Sequence, residues 1–200
     1  MEKYVEQDAA GQSSIGLQIY VWDKFKAEED DTEKDQFVYL VPTTSDPPEM
    51  GSAPDTIEIT EADSPVKQYV SDRPDSPAVE LEYNMNSNGY NYIRVKGAIS
   101  ATQSKIYCLL LPLGSAFIIK ATGTTWMSGG NPVKGTVSLT QAAESIFVPS
   151  LKGTFDEDTQ TKLTEWLKVE KSTLTTLADL IAFDSMPVGR ETDAVTAAKS

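Results

Sequence analysis

Histidine is absent from this chain of 200 residues. That removes the commonest general base, the commonest zinc ligand and every Ser-His or Cys-His nucleophile pair. One cysteine is present, Cys108, within the run KIYCLLL. A lone cysteine forms no intrachain disulfide, and in an apolar strand it ordinarily behaves as a small buried hydrophobe rather than a reactive thiol. No window approaches the roughly 18 consecutive apolar residues of a membrane span. The opening MEKYVEQDAAGQ lacks the apolar centre of a signal peptide, so synthesis in a cytoplasm is the expectation. Positive charge is scarce: 17 Lys and Arg face 30 Asp and Glu, a net charge of −13. Such a surface repels nucleic acid. Solubility accounts for it, and so does a surface that must let a polyanion pass without holding it; composition does not choose.

The motifs that usually carry chemistry also fail. GGNPVKGT, Gly129 to Thr136, superficially resembles a phosphate loop, but Lys134 precedes Gly135 where the motif needs Gly-Lys-Thr. It also lies between two predicted strands, with no helix N-terminus to hold phosphate. The acidic run AEEDDTEKD, Ala27 to Asp35, lacks the alternating Asp spacing and late Glu of a calcium loop and reads as a solvated linker. No spacing selects a glycosidase-like carboxylate pair. Trp22, Trp126 and Trp166 fall on different elements, each more simply a core or interface anchor than a sugar platform. No catalytic residue, cofactor or metal ligand is expected, and an enzyme is the least favoured class.

Residues 1–34 form a polar arm and acidic linker, with IGLQIYVW (Ile15 to Trp22) apolar enough for a strand or a docked arm. From 35 to 150 the pattern is mostly strands. FVYLV is β-rich. DTIEIT alternates, with Ile57 and Ile59 on one face and Glu58 on the other; AVELEY alternates with Val79, Leu81 and Tyr83 on one side. A helix is predicted near Gly89 to Ser100. SKIYCLLLPL, SAFIIKATGTTWM and PVKGTVSLT follow as strands, with Gly114-Ser115 suiting a hairpin or a bulge and Pro112 a strand end or an edge. SIFVPSL closes the series. Meander order with close turns predicts a mainly β fold, a sandwich or barrel with one helix. Residues 151–200 read as a helical extension: Thr154 and Glu157 fit a capping box, Leu163, Trp166 and Leu167 recur at helical spacing, and Ser172 caps a second segment carrying Leu174, Leu177, Ala178 and Ile181. The helical region runs from about Asp156 to Phe183, with a break near Lys171, and the end from Met186 to Ser200 is expected to be disordered.

The most distinctive stretch is PPEMGSAPDTIEIT, Pro47 to Thr60. Two prolines, a glycine and a third proline between two strands make a long, stiffened excursion, not a tight hairpin. A second long connection, VKQYVSDRPDSP (Val66 to Pro77), follows it. Loops of this kind suit a protein that reaches out to its neighbours.

PEMGSAPDTIEIT, then SDRPD at Ser71 to Asp75, then AVELEY, a central helix and long strands ending near Pro149, resemble in order the major tail tube proteins of long-tailed bacteriophages. The resemblance covers Phe37 to Ser150. Glu61-Ala62-Asp63-Ser64 departs from the family's leucine-aspartate turn, the helix region is poor in helix signals, and the last fifty residues have no clear counterpart. The resemblance implies a β-sandwich or barrel of the tail-tube type with one flanking helix. It implies six-membered rings that stack into a tube for DNA ejection, in a virion assembled in the host cytoplasm. The implied partners are copies of the chain itself, a tape measure protein, a tail terminator, baseplate or distal tail proteins, and DNA in passage. Pro48, Met50, Gly51 and Pro54 would lie in a loop gripping the next ring, with Arg73 and Asp75 in the second connection; all six would serve inter-subunit contact. The inner tube of a bacterial contractile injection device shares this logic. A monomeric β-sandwich binding module, for carbohydrate for example, is the rival from another class.

Overall fold

The run KIYCLLL becomes the most buried strand of the molecule, apolar on both faces, and the sheet is built around it. The structure is a computed structural model describing residues 17–26, 32–44, 56–58, 69–71, 78–85, 89–129, 133–187 and 193–199, with backbone alone for 56–58, 69–71 and 193–194. Its elements are β1 (Gln18–Lys26), β2 (Glu33–Pro42), β3 (Thr56–Glu58), β4 (Tyr69–Ser71), β5 (Val79–Asn84), α1 (Tyr90–Ala98), β6 (Lys105–Leu110), β7 (Ala116–Ser128), β8 (Lys134–Gln141), β9 (Ile146–Val148), α2 (Glu157–Leu167), α3 (Leu177–Leu180), β10 (Ile181–Ala182) and α4 (Asp193–Lys199). The fold is mainly β, with a few helices. One eight-stranded mixed sheet has the order β10-β2-β1-β6-β7-β8-β5, and β9 lies on β7 in line with β8. Every ladder is antiparallel except β10 on β2.

The sheet is a single open one, where two sheets or a closed barrel had been expected. It nevertheless curls strongly. Val79, Leu81, Val137 and Leu139 from one end share a core cluster with Ile19, Val21 and Val41 from near the other. Strands so far apart in the order meet only if the sheet coils onto itself. A hydrogen bond from the Thr44 amide to the Glu82 carbonyl (2.8 Å) links the exit of β2 to β5. A β-bulge adds to the bend: Ile19 pairs with Val41 but Tyr20 pairs with Tyr39, which makes Leu40 the extra residue. Arg94 of α1 donates to the Leu40 carbonyl (3.0 Å) and lies over the rings of Tyr90 (5.1 Å) and Tyr39 (5.8 Å). The helix α1 starts at Gly89, whose φ of 69° suits glycine, and it places Val95 in the enclosed core.

The C-terminal residues are part of the core and not an appendage. Leu151, Phe155, Leu163, Leu167, Leu177 and Leu180 bury against Tyr20, Phe37, Cys108 and Ile118 on the second face of the sheet, and β10 joins the sheet itself. The predicted break near Lys171 is a 3-10 turn, Lys171–Thr173. Both predicted caps shift. Asp156, not Thr154, caps α2, its Oδ1 accepting from the Thr159 amide (2.7 Å); Thr154 bridges Thr176 instead. Thr176, not Ser172, caps α3, in a capping box with Asp179. A carboxylate at a helix start gains from the helix dipole as well as the hydrogen bond. The expected disorder from Met186 to Ser200 is corrected for the described part: Met186 is buried, and Val195 of α4 enters the core, while residues 188–192 and 200 lie outside the described residues. At the other end β1 is a paired strand, and the 34/35 boundary falls inside β2. The second connection contains β4, which pairs with β3 and with no other described strand. No helix among the described residues is long and apolar enough to cross a membrane.

Candidate interaction edge

The six residues singled out from the sequence, Pro48, Met50, Gly51, Pro54, Arg73 and Asp75, lie outside the described residues, as do the side chains of Ile57, Glu58 and Ile59. What the structure displays is a different feature. β7 is thirteen residues long and β6 only six, so β7 outruns its neighbour. The β6 ladder ends at Ala121. From there β7, β8 and β5 continue as a three-stranded lobe.

The lobe is held together on its inner side by Tyr83. Its ring lies across Gly135, the residue paired with it, so closely that a β-carbon on Gly135 would enter the ring. Its hydroxyl meets that of Thr125 at 3.2 Å. Burial raises the Tyr83 phenol above its ordinary range, with the Thr125 hydrogen bond opposing, so it stays neutral. On the outer side the cross-strand rows read Glu80, Ser138, Thr124, then Glu82, Thr136, Trp126, then Asn84, Lys134, Ser128. Lys134 reaches Glu82 at 2.7 Å, but both are half-exposed, which leaves the pair worth little. The C-terminal layer packs on the other half of this face; no residue of the lobe belongs to the core it builds.

The sheet's edges differ sharply. On β5, the Glu82 carbonyl accepts from Thr44 and the Asn84 carbonyl from the Asn91 side chain (3.0 Å). On β2, β10 pairs with Phe37 and Val38, the Ser185 hydroxyl takes the Tyr39 amide (2.8 Å), and Arg94 takes the Leu40 carbonyl. The outer edge of β7 is the exception. The Gly123 amide turns outward to the Ser100 carbonyl (2.8 Å), and no described strand covers Thr124–Ser128. By strand alternation, Thr125 and Met127 then aim their amides outward, away from β8. Apolar side chains gather at the same tip: Trp126 is 43 % exposed, Met127 52 % and Val133 42 %.

Such an edge can accept a strand; it offers no chemistry. Two buried titratable groups of β6 are held in their neutral forms. The buried Cys108 thiol is pushed well above its ordinary range by desolvation. The Tyr107 phenol is pushed up to about 12 by burial. Among the described residues no three His, Cys, Asp or Glu stand together as a metal site would require. Sequence reasoning passed over the β7 edge, although Trp126-Met127 carried a signal: two large apolar residues in succession break the alternation of the strand, and one must face solvent. The chain matches no known family model and no curated protein.

Proposed function

We propose that the protein is a structural subunit of a tail tube, of the kind found in long-tailed bacteriophages, in which copies form six-membered rings stacked around a DNA channel. The observation that carries this reading is the pairing of two incomplete features. No described strand covers the β7 edge at Thr124–Ser128, and the β3–β4 ladder, whose strands fall one in each of the two long connections between β2 and β5, pairs with no other described strand. An isolated two-stranded ladder is marginal in water. A contact between two different surfaces of one chain repeats into rings or filaments. The ladder of one copy is therefore the donor, and the β7 edge of the next the acceptor. Prolines in the excursion lower the entropy lost when it is ordered on assembly.

The outer face of the lobe supports a channel lining. It is rich in hydroxyls, and its charges are Glu80 and Glu82 against Lys134. A neutral to acidic wall does not hold a polyanion. The inner tube of a contractile injection device shares these requirements, and gene neighbourhood separates the two. One observation favours a different class: Trp126 is exposed on a hydroxyl-rich face, as in a monomeric glycan-binding module.

The test is sedimentation with negative-stain microscopy across concentration, on the wild type and on Met127→Pro. Proline at 127 removes an outward amide while leaving the β8 ladder intact. Rings or tubes are expected from the wild type, and far weaker assembly from the variant. A wild type that stays monomeric at high concentration, with Trp126 fluorescence responding to oligosaccharides, would establish the binding-module reading instead.

A further inference from the structure

We propose that Ile181–Ser185 is an autoinhibitory edge guard, which occupies the outer edge of β2 so that no second copy can add a strand there. Naming a second copy as the excluded partner rests on the assembly reading above; the guarding geometry does not.

Without this segment β2 would present FVYLV, an apolar and strongly β-prone stretch, on an open edge. That is the usual signature of unwanted strand addition. The two ends of β2 are protected locally. Glu33, Lys34 and Asp35 are charged and exposed, and Arg94 holds the Leu40 carbonyl. The unprotected centre is Phe37 to Tyr39, and β10 sits there: Ile181 pairs with Phe37 and Ala182 with Val38. At two residues, β10 is too short to add much to the sheet, but it is long enough to occupy that centre. Where the chain then turns away, Ser185 completes the cover. Its hydroxyl accepts from the Tyr39 amide (2.8 Å) and donates to the Ala182 carbonyl (2.5 Å). The side chain thus replaces the carbonyl that a longer strand would have supplied. Ile181 and Met186 are buried on either side, so the guard is held by apolar contact and leaves only if both are exposed.

The guard also explains why a far C-terminal segment makes the one parallel pairing among the described strands. A strand that arrives late in the sequence covers an edge that β1 and β2 leave open.

Ser185→Ala tests the proposal, read by amide hydrogen exchange and by sedimentation. The Tyr39 amide should exchange about tenfold faster, while Leu109 in the centre of β6 is unchanged. Self-association should strengthen several-fold, and it should persist in the Met127→Pro background, where the β7 edge is blocked. Ser185→Thr, which keeps the hydroxyl, should restore both readouts. Three results overturn the guard: unchanged exchange at Tyr39; acceleration of Tyr39 and Leu109 together, which assigns the hydroxyl to the whole fold; or new association that Met127→Pro abolishes. A wild type that never assembles, beside a Ser185→Ala protein that self-associates in the Met127→Pro background, would end the tube reading and leave the guard standing.

Discussion

Gly135→Ala should be among the most damaging single-methyl changes in this protein. The Tyr83 ring lies directly where the new β-carbon would go. Escape is blocked on several sides: Tyr83 is fully buried, its hydroxyl is tied to Thr125, and its backbone is laddered to Gly135 itself. Overpacking a closed core costs about 1–3 kcal/mol, and the rigid ring places this case near the top of that range. For a domain of this size the loss corresponds to a fall in Tm of about 6–12 °C. Gly97→Ala is the matched control. Gly97 is an exposed helical residue with nothing within 4 Å of its virtual β-carbon. There the substitution should stabilise by about 1 kcal/mol through helix propensity, raising Tm by a few degrees. Thermal unfolding followed by circular dichroism measures both. Tyr83→Leu supplies the internal check: with the ring removed, adding Gly135→Ala should cost much less, a coupling between neighbours. If Gly135→Ala melted within a degree or two of wild type, the Tyr83–Gly135 register, and with it the lobe, would be wrong.

Two further outcomes follow from other parts of the molecule. Asp156 has its carboxyl pKa lowered, chiefly by the hydrogen bond from Thr159, so its capping contribution is present above the ordinary aspartate range and is lost as pH falls through its depressed folded value. Asp156→Ala should therefore lower Tm at neutral pH by an amount that shrinks in acid, and Asp156→Asn should recover most of it; a deficit independent of pH would refute the assignment. Replacing Pro48 to Ala53 with a short Gly-Ser turn should leave circular dichroism and Tm nearly unchanged while abolishing rings or tubes in the microscope; normal tubes would refute the role given to the excursion.

What was legible in the sequence followed from local rules. The alternation of AVELEY gave β5 and its inward Val79, Leu81 and Tyr83; the unbroken KIYCLLL gave a strand buried on both faces; Gly89 opened α1 where a helix was expected. What escaped depends on partners distant in sequence. Ile181–Ala182 sits at the end of a run with helical spacing, and only its pairing with Phe37 and Val38 makes it a strand. The bulge at Leu40 exists because β1 pairs one residue out of step there. Tyr69–Ser71 is hidden among prolines until β3 lies beside it. Competition decided the caps: Thr154 could cap α2 by spacing, but its bridge to Thr176 leaves Asp156 closer to the free amides. The contact residues expected from the resemblance lie outside the described residues, so the candidate edge came from the structure alone.

The unequal treatment of the edges is the strongest physical argument about how this protein behaves. A sheet protein that remains alone must blunt each edge. Here β5 is blunted by Thr44 and Asn91, and β2 by charge, by β10, by Ser185 and by Arg94. These devices come from four separate parts of the chain, which argues against accident. At Thr124–Ser128 the arrangement is reversed. No described strand covers the edge, Lys and Pro are missing from it, and Trp126 and Met127 are left half in water. Apolar surface is cheap to hide and costly to display, at roughly 25 cal/mol per Å². A chain that protects its other edges so thoroughly gains nothing from exposing this one as a monomer. Under the assembly proposed above, a second chain would cover this apolar tip.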